Sequence, residues 1–231
     1  MFKKFIEKIT DLIYPNKCVL CNENIISRKD YVCEKCLKEA KPVPKLQTLE
    51  IEENPDSKVV CVSAFRYIGN LKNAIWRFKF RGHKKYSGFF ARKIVDEFQE
   101  MFKDYKFDYI CFVPLRKERE RNRGYNQAQC IASDISSIIG VPCKDVLVKI
   151  KNNHVQHELD LIHRRSNVKG AYGVKNPGEI QGKRILLCDD IVTSGSTLAE
   201  CAKTLLKNGA SLVCCCTVAY IPKLNFSDKS Q

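Results

Sequence analysis

The stretch Ile185–Leu198, ILLCDDIVTSGSTL, runs from an apolar segment into two adjacent acids and then a turn of threonine, serine and glycine. Ile185 to Cys188 follows the turn residue Gly182 and reads as a buried strand of an α/β sheet, with Asp189 and Asp190 at its carboxyl end. Beyond the turn, Leu198, Ala202, Leu205 and Leu206 recur at helical spacing and Gly209 marks a stop, so the turn opens a helix. In open α/β sheets, ligands bind in the crevice beyond the strand ends, beside a helix N-terminus.

That placement sets the chemistry. Backbone N–H groups and the hydroxyls of Thr193, Ser194, Ser196 and Thr197 can ring a phosphate, helped by the helix dipole, and Gly195 lets the backbone come close. Ionised Asp189 and Asp190 accept hydrogen bonds and repel one another, so they need hydroxyl donors or a cation. A sugar with vicinal hydroxyls and a 5′-phosphate satisfies both halves. The alternative is a plain strand capped by Asp, Ser and Thr. Neither GxGxxG nor GxxxxGK[ST] occurs, which disfavours a dinucleotide fold or a P-loop ATPase.

The 231 residues allow one α/β domain with a small appendage, and 44% apolar content supplies a core. A net charge of +14 favours polyanions: phosphates, nucleic acid or anionic lipid. Glu7, Lys8 and Asp11 interrupt the N-terminal apolar run, so no signal peptide is expected there, and Leu212 to Ile221 is far too short to span a bilayer. A soluble, cytoplasmic protein is expected. Phe2, Phe5, Ile6, Ile9 and Ile13 form a one-sided helix that either docks on the protein's own surface or lies at the inner face of a membrane.

Thirteen cysteines without an export signal argue for reduced thiols, clustered where metal gathers them. Cys18, Cys21, Cys33 and Cys36 form CxxC-x11-CxxC, the spacing of a tetrahedral four-thiolate zinc site. Protein sulfur fills all four positions, so the zinc is structural. Cys111, Cys188 and Cys214 to Cys216 fall in apolar strands and read as inert core. The expected divisions are an N-terminal helix and ribbon over 1–46, an acidic, proline-containing linker over 47–57, and the main domain over 58–231.

In the main domain, Lys58–Tyr67, Phe107–Val113, Asp145–Ile150, Lys183–Cys188 and Ser211–Tyr220 have strand character. Leu71–Phe80, Phe89–Phe102 and the segment marked by Ile131 to Ile139 have helical periodicity. Residues 77–93 carry seven basic residues and no acid, interleaved with Phe78, Phe80, Tyr86, Phe89 and Phe90. That pattern suits single-stranded nucleic acid, or else it is a basic face over core aromatics. After the strand ending at Val113, backbone amides near Leu115 and the guanidinium of Arg116 can hold a pyrophosphate, or the segment is an exposed charged loop. The polar stretch after Ile150 suits a lid, and His154, His157 and His163 read as solvent-exposed.

Residues 184–197 resemble the 5-phosphoribosyl 1-pyrophosphate (PRPP) loop of type I phosphoribosyltransferases. The Cys pairs, WRFKFRGH, VPLRKERERNRGYNQA, Gln156 with Leu159, Arg164 with Asn167 and Val168, and KGAYGV extend the resemblance to the ComF family, which pairs such a domain with an N-terminal zinc ribbon. The resemblance implies an open, mainly parallel sheet flanked by helices. Asp189 and Asp190 would hold the ribose, and Ile191, Val192, Thr193, Ser194, Gly195, Ser196 and Thr197 the 5′-phosphate. Leu115 and Arg116 would hold the pyrophosphate, with Mg2+ bound alongside PRPP, and Gln156, Arg164 and Arg165 would close from the lid. It further implies a role in natural transformation beside a DNA-translocating helicase that handles single-stranded DNA. Many relatives carry RxRxT before the glutamine, where this chain has Lys149, Lys151 and Asn153; charge survives at two positions without bidentate geometry.

Overall fold

The computed structural model describes residues 16–25, 31–39, 41–51, 54–151 and 168–222. The N-terminal apolar helix, His154, His157 and His163, and the site candidates Gln156, Arg164 and Arg165 lie outside the described residues.

A small ribbon comes first. Strands β1 (Asn16–Lys17) and β2 (Asn24–Ile25) pair antiparallel, and helix α1 (Glu34–Glu39) follows. The central sheet consists of β3 (Lys45–Ile51), β4 (Asn54–Arg66), β5 (Tyr109–Phe112), β8 (Arg184–Val192) and β9 (Leu212–Tyr220), in the order β3-β4-β9-β8-β5. Within it the β3–β4 hairpin is antiparallel, while β4–β9, β9–β8 and β8–β5 are parallel. Helices α2 (Gly69–Phe80), α3 (Tyr86–Tyr105), α4 (Lys117–Arg123), α5 (Gln127–Ile139) and α6 (Ser196–Lys207) connect them. A separate pair, β6 (Leu147–Lys149) and β7 (Tyr172–Val174), runs antiparallel.

The hairpin corrects the expected linker. Residues 47–51 belong to β3, whose Leu49 and Ile51 are buried while Thr48 and Glu50 face water. This period-2 alternation is that of an edge strand, and an exposed charge such as Glu50 blunts a sheet edge. The density of acids gave the segment the look of a tether.

Parallel strands bury both faces, so neighbouring residues enter different cores. Leu186, Cys188, Cys214 and Cys216 pack with α2, α3 and α5, whereas Ile185, Leu187, Val213 and Cys215 pack with α6 and β7. These four cysteines and Cys111 are free and buried, and burial drives the thiols of Cys111, Cys188 and Cys215 far above their ordinary value. They act as small apolar fillers.

The same geometry divides the basic–aromatic run. Phe78, Tyr86, Phe89 and Phe90 are core residues, with Phe78 within 5.7 Å of Phe90 and 5.8 Å of Tyr125. Of the five rings interleaved with the basic residues, only Phe80 is exposed, so for the other four the basic face over core aromatics is the arrangement found. Hydrophobic burial of roughly 1.5–3 kcal/mol per ring claims the others.

Candidate functional site

Strand β8 continues through both acids to Val192, four residues beyond the expected end. Ile191 and Val192 still pair with Ala219 and Tyr220 of β9, so the free turn is Thr193–Gly195, and Ser196 and Thr197 already belong to the first turn of α6. Strand alternation sends the acids to opposite faces, and they straddle the carboxyl edge of the sheet. Asp190 meets Lys79 of α2 at 2.8 Å. Asp189 lies on the α6 side, where Lys149 and Cys201 are its electrostatic neighbours. Burial, then the adjacent Asp190, pushes its carboxyl up to about 7, against the pull of the Asp190 N–H, Lys79 and Lys149. The Asp190 N–H donates to Asp189 Oδ1 at 2.8 Å.

Gly195 stands at φ +79°, and a Cβ there would approach Leu49 Cδ2 to 2.6 Å. The turn therefore needs glycine because β3 crosses beneath it, in addition to the left-handed backbone. Gly195→Ala is expected to cost about 2 kcal/mol or more from strain and overlap, read as a lower thermal midpoint; measured against Leu49→Ala alone, the same change should cost less by the overlap part. Ser194 and Ser196 hydroxyls lie 2.8 Å apart at the mouth of the turn.

Arg116 and Leu115 precede α4 and line a cleft of about 760 Å³ with Pro114, Asn126, Lys149 and Lys175. Lys149 and Tyr172, on paired strands β6 and β7, lie 3.2 Å apart through Nζ and the phenol oxygen. Burial lowers the Lys149 ammonium, with Arg116 and Arg119 adding repulsion, while Asp189 draws it the other way. Arg116, Lys149, Tyr172 and Asp189 thus share one electrostatic neighbourhood. Sequence reasoning did not assign Lys79, Lys149 or Tyr172 to the site. Lys79 was legible only as part of a basic run and Lys149 only as a missing arginine; the packing of α2 on one side and β6 on the other brings them to the acids.

The RGYNQA segment is mainly architecture. Gly124 ends α4 at φ +77°, and the Tyr125 hydroxyl donates to the Phe78 carbonyl. The Asn126 side chain accepts from the N–H of Ala128 and Gln129 and donates to the Val113 carbonyl at 3.0 Å. One asparagine thus caps α5 and pins the end of β5, from which the Arg116 segment departs.

At the front, Cys18, Cys21, Cys33 and Cys36 converge with their sulfurs all within 4.8 Å of one another, and Cys21 and Cys33 are 3.7 Å apart. Four thiolates at about 2.3 Å from one tetrahedral ion are separated by nearly that distance, so the donor set fits Zn2+. The backbone N–H of Cys33 points at the Cys18 sulfur and that of Cys36 at the Cys33 sulfur, both at 3.4 Å. Burial raises the Cys18 thiol, but backbone N–H groups of Cys33, Cys21 and Leu20 outweigh it and bring it to about 7; burial pushes Cys21 up to about 11. Arg77 of α2 donates to the carbonyls of Val19 and Leu20 at 2.8 and 2.7 Å and thereby clasps the knuckle to the main domain. Arg77→Ala leaves two carbonyls short of a partner, roughly 1–3 kcal/mol each. The expected result is faster reaction of the ribbon thiols with a thiol reagent, with a smaller drop in the main-domain thermal midpoint than loss of the whole ribbon would give.

Residues 126–229 match the family described as Phosphoribosyl transferase domain, and residues 9–47 the Double zinc ribbon domain. The second segment contains four cysteines and no histidine, enough for one tetrahedral zinc site, which is structural. The chain is 29% identical over 212 residues to Competence protein F of Haemophilus influenzae, covering 84% of this chain and 92% of that one. It is 31% identical to Competence protein ComFC of Bacillus subtilis over 64% of this chain and 58% of that one. It is 35% identical to DNA utilization protein YhgH of Escherichia coli K12 over 46% of each, so that match spans about half of the relative. An adenine phosphoribosyltransferase crystal structure covers 81% of this chain at 16% identity and a TM-score of 0.41.

Proposed function

Because this chain belongs to the ComF family, phosphoribosyltransferase-like proteins behind a zinc ribbon, we propose that it serves DNA uptake by binding PRPP with Mg2+ and handling single-stranded DNA beside a translocating helicase. The observation that carries the PRPP reading is the pair Asp189 and Asp190 astride the sheet edge, next to the Thr193–Gly195 turn and the start of α6. Asp190 already holds a cation, Lys79 at 2.8 Å, where a diol and its metal-bound pyrophosphate would bring hydroxyl donors and charge.

The residues divide the work. Asp189 and Asp190 accept from the ribose hydroxyls, and the hydroxyls and amides of Thr193 to Thr197 hold the 5′-phosphate. Arg116 and Lys149 face the pyrophosphate from the neighbouring cleft. Bound Mg2+ would neutralise charge on the diphosphate. Such a site favours departure of pyrophosphate by positioning and electrostatics, with no need for a protein nucleophile. Arg164, Arg165 and Gln156 are carried over from the family pattern alone.

The test is calorimetric titration of PRPP in Mg2+ into the intact protein and into Asp190→Asn. Binding weakened at least tenfold in the variant is the expected result. Absence of binding to the intact protein, or equal affinity in both, would defeat the reading. The cleft of about 760 Å³ beside Arg116 leaves room for an acceptor, which favours a second reading as a nucleotide-salvage transferase. That reading requires pyrophosphate release from PRPP that depends on an added base.

A further inference from the structure

Helix α2 carries two large rings to the surface, although its other apolar residues face the core. Trp76 is 47% and Phe80 55% exposed, and their ring centres lie 5.9 Å apart. Four positions apart on a helix, they occupy one face. A planar cation sits over each ring: Arg81 at 5.3 Å from the centre of Trp76, and Arg123 of α4 at 4.9 Å from that of Phe80. Between them in sequence, Lys79 reaches Asp190 at 2.8 Å. The helix thus joins the rings to the acid pair.

We propose that Trp76 and Phe80, flanked by Arg81 and Arg123, form a base-stacking platform for a single strand of nucleic acid at the rim of the sugar–phosphate site. The inference rests on the nucleic-acid part of the proposed function and deepens it by placing the strand. An apolar protein helix or a lipid tail laid on these rings would desolvate two guanidinium charges, of which Arg123 has the neutral Gln127 side-chain oxygen at 2.9 Å as acceptor, at a heavy cost. A single strand answers both needs: bases stack on exposed rings, and phosphates pair with Arg81 and Arg123 and with the exposed Lys84 and Lys85 of the acid-free run 77–93, whose Arg77 and Lys79 are engaged with the ribbon and with Asp190. Duplex bases are stacked internally and cannot use the platform.

Trp76 is the single tryptophan of the chain, so its fluorescence reports this surface directly. Oligothymidylate of about 20 nucleotides is titrated into the full chain, following both intrinsic fluorescence and the anisotropy of a dye on the oligonucleotide. Stacking quenches Trp76. Trp76→Ala and Phe80→Ala should each weaken binding about tenfold or more, Trp76→Phe should restore most of it, and neither alanine variant should change the salt slope. Arg81→Ala should instead flatten that slope by about 0.7, the share of a single phosphate paired to the guanidinium. PRPP titration and zinc content verify that each variant is folded, and Phe80→Ala keeps the reporter if Trp76→Ala fails to fold.

Anisotropy showing binding while Trp76 emission stays constant would overturn the platform and leave the proposed function standing. Quenching by thymidine monophosphate at equal nucleotide concentration would also overturn it, because the rings would then take a mononucleotide rather than a strand. No strand binding at low salt would remove the nucleic-acid reading itself, while the PRPP titration would still report the sugar–phosphate site on its own.

Discussion

Removing zinc with a strong chelator, or replacing Cys33 by serine, is expected to unfold the ribbon while the central sheet survives. Structural zinc bound by four thiolates supplies about 10 kcal/mol or more of apparent folding energy, which outweighs what the short strands β1 and β2 and the six-residue α1 gain from the Arg77 clasp and their few core contacts. The sheet has independent cores on both faces and should persist. The damage to it is local: Cys18, Val19, Leu20 and Cys36 pack on the core that includes Phe78 and Tyr86, so uncovering that core should lower the thermal midpoint of the main domain. Metal analysis should find one zinc per chain in the parent and none in Cys33→Ser. Limited proteolysis should then cut within residues 16–39 first. Unchanged protection there after chelation would show that something other than metal gathers the four sulfurs.

The second large effect concerns Asp189. Asp189→Asn should be more stable than the parent at pH 8 and about equal to it at pH 4. The unfolded chain releases this proton near pH 4, whereas the folded site keeps it up to about 7 because burial and Asp190 oppose a second negative charge. Between those values the native state binds the extra proton, so stability falls as pH rises through that window and stays lower above it. Solvent reaching the half-open site and the coupling to Asp190 reduce the gain to roughly 2 kcal/mol, or roughly 4–8 °C in thermal midpoint. Asparagine keeps the oxygen that accepts from the Asp190 N–H, so the exchange tests charge rather than hydrogen bonding. Ligand binding should bear the same mark. Near pH 7, PRPP with Mg2+ should expel a proton as Asp189 ionises to meet hydroxyl donors, making the calorimetric enthalpy depend on the buffer's own ionisation heat. Equal stability of parent and variant at pH 8 would place Asp189 in water rather than at the sheet edge.

Much of this was legible before any fold was known. The cysteine spacing identified the ribbon because two CxxC knuckles leave a four-thiolate ion few other arrangements. The passage from apolar run to acids to small hydroxyl residues identified a strand, a turn and a helix start, since each is a local feature written in neighbouring residues. Local patterns also misled. The acids of 47–57 looked like a tether, yet Leu49 and Ile51 alternate with them and make an edge strand. Five rings amid basic residues fitted either one surface or a basic face over core aromatics, and packing sends four of them to the core.

The strand, turn and helix start around the acid pair, and the metal donor set, were readable from the chain, because they depend on residues near one another along it. It took the packed fold to show that Lys79 and Lys149, each far from residue 189 in sequence, meet the acid pair from opposite faces of the sheet. The fold likewise showed that Gly195 must make room for Leu49, and that Trp76 and Phe80 stay outside while Phe78 goes in. The reason is physical: strand alternation and helix periodicity say which residues share a face, but only the packing of one element against another says what that face meets.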